Sequence, residues 1–129
     1  MKAPDLAVVD DAGVHPWTGA TDALKAAAAH AHLKFAVADL GKARDRATLF
    51  AELDRTLNLP EDFGHHLDAL ADVLEDSDWL GKTGRVIALT HAAGYRKEHP
   101  NDWATLEELL AEAAEFWKER HMGFWTFVA

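Results

Sequence analysis

Residues 61–80 contain seven acidic residues and no lysine or arginine. They are Glu61, Asp62, Asp68, Asp72, Glu75, Asp76 and Asp78. Carboxylates in such numbers could act as a general acid and base, ligate a metal, or bind a basic partner. The formal net charge of −9 favours a basic protein partner, because this charge repels nucleic acid phosphates and anionic lipids. We therefore expect the chain to bind neither nucleic acid nor membrane.

Apolar and acidic residues alternate in this window with the spacing of a helix, which we predict from about His66 to Trp79. At about 100° per residue, one side of that helix is apolar and the other acidic. The apolar side comprises Leu67, Leu70, Ala71 and Leu74, and the acidic side comprises Asp68, Asp72, Glu75 and Asp76. Like charges one turn apart oppose helix formation by a few tenths of a kcal/mol each. The ordinary role of such a side is to face solvent, so a function depends on the residues around it.

Short apolar runs alternate with amphipathic stretches along the rest of the chain. They predict strands at 33–39, 85–90 and 124–128 and further helices at 21–31, 45–57 and 103–121. Asn101 or Asp102 is the expected N-cap of the last helix. Residues 1–20 are expected to form a loose arm, and residues 91–102 a loop. The order predicts an α/β fold with a small three-stranded parallel sheet, preceded by an N-terminal helical extension at 1–32.

Residues 59–74, which read LPEDFGHHLDALADVL, resemble the signature of the barstar family. The family pattern is Leu-Pro, two aromatic-like positions, Gly, a polar pair, Leu-Asp-Ala-Leu, an aromatic residue and Asp. The resemblance covers residues 33–129 and implies a barstar-like domain there, with a three-stranded parallel sheet and helices. It also implies an intracellular inhibitor of a barnase-type microbial ribonuclease. Such a protein blocks a basic cleft and performs no chemistry, so we expect neither an enzyme nor a cofactor.

The resemblance also implies which residues touch the nuclease. Asp72 would enter the catalytic pocket and meet its arginine and histidine side chains. Asp68, one turn earlier, would pair with other basic groups of the cleft. Phe63, Gly64 and His66 match family positions near the interface.

Three positions depart from the family pattern and bear on the identity of the partner. Asp62 replaces a common aromatic residue, Ala71 replaces tryptophan, and His66 replaces asparagine. These differences favour a related nuclease with a more basic rim over barnase itself. The family also uses a glutamate on its last helix, for which the candidates are Glu112, Glu115 and Glu119.

Two alternatives belong to other functional classes. The chain could be an acidic adaptor or immunity protein for a different basic toxin, or a metal-dependent hydrolase that uses its histidines. We expect no metal site, because His30 and His32 diverge on a helix and His65 and His66 are adjacent. The absence of cysteine excludes disulfides and cysteine-ligated metals. The apolar stretch near the start is too short for a signal peptide, so we expect a soluble, cytoplasmic protein that is monomeric when free.

Overall fold

The computed structural model describes residues 3–59 and 67–129, apart from the side chain of Asp68. Its strands are β1 (Val14–Pro16), β2 (Lys34–Asp39), β3 (Arg85–Thr90) and β4 (Phe124–Val128). Its helices are α1 (Thr21–His30), α2 (Arg46–Leu57), α3 (Leu67–Leu74), α4 (Ser77–Leu80), α5 (Ala93–Glu98) and α6 (Pro100–Lys118). A short 3-10 helix covers Val9–Asp11.

All strand pairs in the sheet are parallel, in the order β1-β4-β3-β2. The three predicted strands are confirmed as β2, β3 and β4, and the prediction of a parallel sheet is also confirmed. Strands β3 and β4 are almost wholly buried, which is typical of a parallel sheet covered on both faces.

The prediction of three strands is wrong, because the sheet has four. The additional strand, β1, pairs in parallel with β4, and Val14 lies opposite Thr126. The described part of the predicted loose arm, residues 3–20, is therefore attached to the sheet. The strand has only three residues and ends at Pro16, which lacks a backbone N–H and suits the edge of a sheet. Such a short segment carries no periodicity from which a strand could be predicted.

The two faces of the sheet belong to two separate hydrophobic clusters. Ile87 and Leu89 of β3 pack on the side of α2, α3, α5 and α6. Val86 and Ala88 pack on the other side, against α1 and the N-terminal segment. The division into an extension at 1–32 and a domain at 33–129 stays a prediction, yet the described residues of this extension pack against one face of the sheet.

Local sequence explains where α2 and α6 begin. The Asp45 carboxylate accepts a hydrogen bond from the Thr48 N–H at 2.9 Å, and the two residues form a capping box before α2. Helix α6 begins at Pro100, with His99 as its N-cap, so the predicted N-cap at Asn101 or Asp102 is wrong. Proline is favoured in the first turn because the N–H that it lacks would have no helical partner there. The predicted loop at 91–102 contains α5 and the start of α6.

The acidic helix is shorter than predicted. Helix α3 ends at Leu74, and a separate helix, α4, begins at Ser77. Asp76 lies between them and accepts a hydrogen bond from the Asp78 N–H at 2.8 Å. Aspartate favours such caps over helix interiors, because its side chain competes for nearby backbone groups. The prediction that one helix extends to Trp79 is therefore wrong, and Asp76 caps α4 instead of extending the acidic side of α3.

Candidate functional site

Helix α3 buries its leucines and exposes Asp72, as its sequence predicts. Leu67, Leu70 and Leu74 are 8 %, 1 % and 0 % exposed, whereas Asp72 is exposed to solvent. Ala71, predicted on the apolar side, is half-buried. The leucines fix the rotation of the helix on the core, and this rotation presents Asp72 outward.

The C-terminal end of α3 is held by a buried hydrogen bond. The indole Nε1–H of Trp117, in α6, donates to the carbonyl oxygen of Leu74 at 2.7 Å. The last carbonyls of a helix have no intrahelical partner, so this bond satisfies one of them. A surface held rigid in this way loses less entropy when it binds a partner.

A second buried network joins the two ends of the segment that contains α3. The Trp79 Nε1–H of α4 donates to the Leu57 carbonyl at the end of α2, at 2.9 Å. The Arg85 guanidinium donates to the carbonyls of Leu57 at 3.3 Å and Trp79 at 2.8 Å, and it lies 4.1 Å from the centre of the Trp79 ring. Sequence analysis missed this role of Arg85, although an arginine that opens an apolar strand is an available signal.

The carboxylate of Asp72 is exposed and available to a partner. Within residues 3–59 and 67–129, its carboxylate forms no ion pair and accepts no hydrogen bond. Asp76, by contrast, is engaged in capping α4. An exposed, uncompensated carboxylate on a rigid helix can form charge-assisted hydrogen bonds with basic side chains of a partner.

The comparison with known families agrees with this geometry. Residues 33–129 match the family model described as Barstar (barnase inhibitor). The chain belongs to the Barstar family. No curated protein matches the chain. The Barstar match includes β2, β3, β4 and the whole of α3, whereas β1 and α1 precede it. Barstar is a family of inhibitors and not of enzymes.

The structure places some of the residues expected to touch the nuclease and not others. Asp68, Ala71 and Asp72 all belong to α3, and Asp68 lies one turn before Asp72. Four further predicted residues lie outside the described part of the chain, namely Asp62, Phe63, Gly64 and His66. The site predicted by resemblance to the Barstar family therefore stays a prediction.

The three candidate glutamates of the last helix are all exposed. Glu115 pairs with Lys118 at 2.9 Å, and Glu119 lies 4.0 Å from Arg120. Glu112 forms no ion pair with any residue that the structure describes. Its carboxylate is therefore the least compensated of the three.

The described part of the chain offers neither a metal site nor a membrane-spanning helix. No group of three or more His, Asp or Glu side chains in the described part of the chain could hold a metal ion. Across the same residues, every helix is too short or too polar to span a bilayer.

Proposed function

We propose that this Barstar-family protein inhibits a barnase-type ribonuclease by placing α3 and the segment before it in the basic cleft of the enzyme. Asp72 carries the interaction together with Asp68. The contact is completed by Asp62, Phe63, Gly64, His66 and Ala71. The observation that supports the proposal most is the exposed carboxylate of Asp72, which pairs with no described residue, on a helix whose other side is buried. Before it binds the nuclease, the protein is a monomer in the cytoplasm, and it performs no chemistry itself.

The physical basis is mimicry of RNA. A ribonuclease cleft is basic because it must hold phosphates, and spaced carboxylates on a rigid helix present a similar pattern of negative charge. Arginine–carboxylate hydrogen bonds are among the strongest that proteins form. The net charge of −9 also steers a basic enzyme towards the inhibitor and speeds their association.

The test is a titration of a barnase-type ribonuclease with the native protein and with Asp72→Ala, following RNA cleavage. The native protein should inhibit the nuclease stoichiometrically. Removal of one partner of a buried charge pair costs roughly 3–5 kcal/mol. Asp72→Ala should therefore weaken inhibition at least about a hundredfold.

Asp22→Ala is the matched control, because it removes the same charge from an exposed position on α1, on the other side of the sheet. It should inhibit as well as the native protein. A loss below about 1 kcal/mol for Asp72→Ala would show that α3 is not the inhibitory surface.

A second candidate function is binding to a different basic toxin as an adaptor or immunity protein. It is favoured by Asp62 and Ala71, which replace residues that are aromatic in the family pattern. If the native protein binds a basic toxin without reducing any nuclease activity, this second function replaces the first.

A further inference from the structure

Two positive charges lie side by side at the start of neighbouring strands. Lys34 of β2 and Arg85 of β3 are direct partners in the parallel register. Like charges in opposed positions destabilise a sheet. Neither side chain forms an ion pair with a carboxylate in the described part of a chain whose net charge is −9. Since no described carboxylate balances either positive charge, a negative ligand would be favoured here.

A cavity of about 440 Å³ lies at these two residues and opens to solvent. The described residues that line it are Lys34, Phe35, Ala36, Thr56, Asn58 and Arg85. This set contains two cations and no carboxylate. A water molecule takes up about 30 Å³ of the liquid, so the cavity has room for a small anion with its waters.

The hydrogen bonds of Arg85 leave part of its guanidinium free. The side chain is 8 % exposed, and its Nη1 and Nη2 atoms donate to the carbonyls of Leu57 and Trp79. Its Nε atom is buried and finds no partner among the residues that the structure describes. Burial lowers the pKa of Arg85, because desolvation penalises the charged form. A nearby negative charge would offset that penalty.

Two polar side chains of α2 and its C-cap complete the lining. The Thr56 hydroxyl already donates to the Glu52 carbonyl at 2.8 Å, so it has no proton for an anion. Asn58, in the left-handed conformation with φ 52°, forms no side-chain hydrogen bond with the described residues. Its amide NH₂ is thus a donor available to the cavity.

We propose that this cavity is an oxyanion site, in which Lys34 and Arg85 hold an anion of the phosphate class. Arginine and lysine are the side chains that proteins use to bind phosphate, and Asn58 adds a neutral donor. The site does not involve Asp72, so its test is independent of the inhibitory function.

Thermal unfolding of the full chain in phosphate and in chloride of equal ionic strength tests the site. Phosphate should raise the Tm of the native protein, because a ligand of the folded state stabilises it. Lys34→Gln should weaken the apparent Kd for phosphate at least about tenfold, through loss of one charge-assisted hydrogen bond. Lys25→Gln, an exposed lysine of α1, is the matched control and should respond to phosphate like the native protein.

The nitrogen resonance of the Arg85 Nε–H group provides a direct readout that leaves Arg85 in place. It should shift saturably as phosphate is added to the native protein and should not shift in chloride. The proposal is overturned if phosphate stabilises the native protein no more than chloride does. It is equally overturned if Lys34→Gln retains the full phosphate response.

Discussion

Several large polar side chains in this protein donate hydrogen bonds to carbonyls at the ends of helices. Trp79 and Arg85 donate to Leu57 at the end of α2, and Trp117 donates to Leu74 at the end of α3. Helix C-termini leave several carbonyls without partners, and a buried carbonyl without a partner is costly. The two tryptophans therefore do more than fill the core, which is the role that their type indicates from the sequence.

Thr126 of β4 has a buried hydroxyl group without a hydrogen bond in the described part of the chain. The residue is 0 % exposed, and its hydroxyl has no hydrogen-bond partner among the described residues. Thr126→Val keeps the shape and removes the unpaired group, so it should raise the free energy of unfolding by about 1 kcal/mol. Urea denaturation measures the change.

Thr56→Val is the matched control, because the Thr56 hydroxyl donates to the Glu52 carbonyl at 2.8 Å. It should not stabilise the protein. If Thr126→Val lowers the urea midpoint, the Thr126 hydroxyl has a partner in solution.

Helix α3 is an element that depends on its surroundings. It has eight residues, and isolated helices of this length are marginal in water. Its buried leucines and the bond from Trp117 supply the stability that its length does not. The rigidity of the surface that presents Asp72 therefore depends on the packing of α3 on α6.

Trp117→Phe tests this dependence, because it keeps an aromatic ring and removes the donor to Leu74. A buried carbonyl left without its partner costs about 1–3 kcal/mol. The variant should lose that much stability in urea denaturation, and amide hydrogen exchange in α3 should speed up.

Trp103→Phe serves as the control, since the Trp103 indole donates to the partly exposed carboxylate of Glu107 at 2.7 Å. The partner left behind can be hydrated, so the loss should be smaller. Equal losses in the two variants, with no change of exchange in α3, would contradict a special role for the Leu74 bond.

At the scale of the whole molecule, some surface carboxylates bond to residues that are distant in the sequence. Asp102 of α6 pairs with Arg46 of α2 at 2.7 Å, and this hydrogen bond lowers the pKa of the carboxyl. The pKa of Asp39 is lowered by hydrogen bonds from the Gly41 N–H and from His91. These groups favour the folded state in their charged form.

Stability should consequently fall in acid. A carboxyl whose pKa is lower in the folded state contributes stability above its unfolded pKa of about 3.9, and loses it as the pH falls through the folded value. The free energy of unfolding, measured with urea at several pH values, should decrease below about pH 4. Asp102→Asn should make this decrease shallower.

Asp22→Asn changes an exposed aspartate that has no hydrogen-bond partner among the described residues, and it provides the control. Its acid dependence should match that of the native protein. An unchanged slope in Asp102→Asn would mean that the Arg46 pair does not contribute to folding.

Much of the fold is encoded within short windows of the sequence. Two apolar runs rich in β-forming residues, each directly preceded by a glycine, predict β3 and β4 with the bounds that the structure has. The leucine spacing of α3 predicts its buried side, and the pattern at 59–74 leads to the family that the match at 33–129 shows. Side-chain periodicity and turn residues act over a few positions, so they can be recognised without the tertiary structure.

Other features depend on residues that are far apart in the chain. Strand β1 exists because β4, at the other end of the sequence, offers it an open edge. The end of α3 is set by Trp117 as well as by the local preference of Asp76 for a cap. The juxtaposition of Lys34 and Arg85 arises from the register of β2 on β3. By itself, the sequence determined most of the elements, the local cap that ends the acidic helix and the family, whereas hydrogen bonding between strands far apart in the chain decided the fourth strand and the pairing of the two cations.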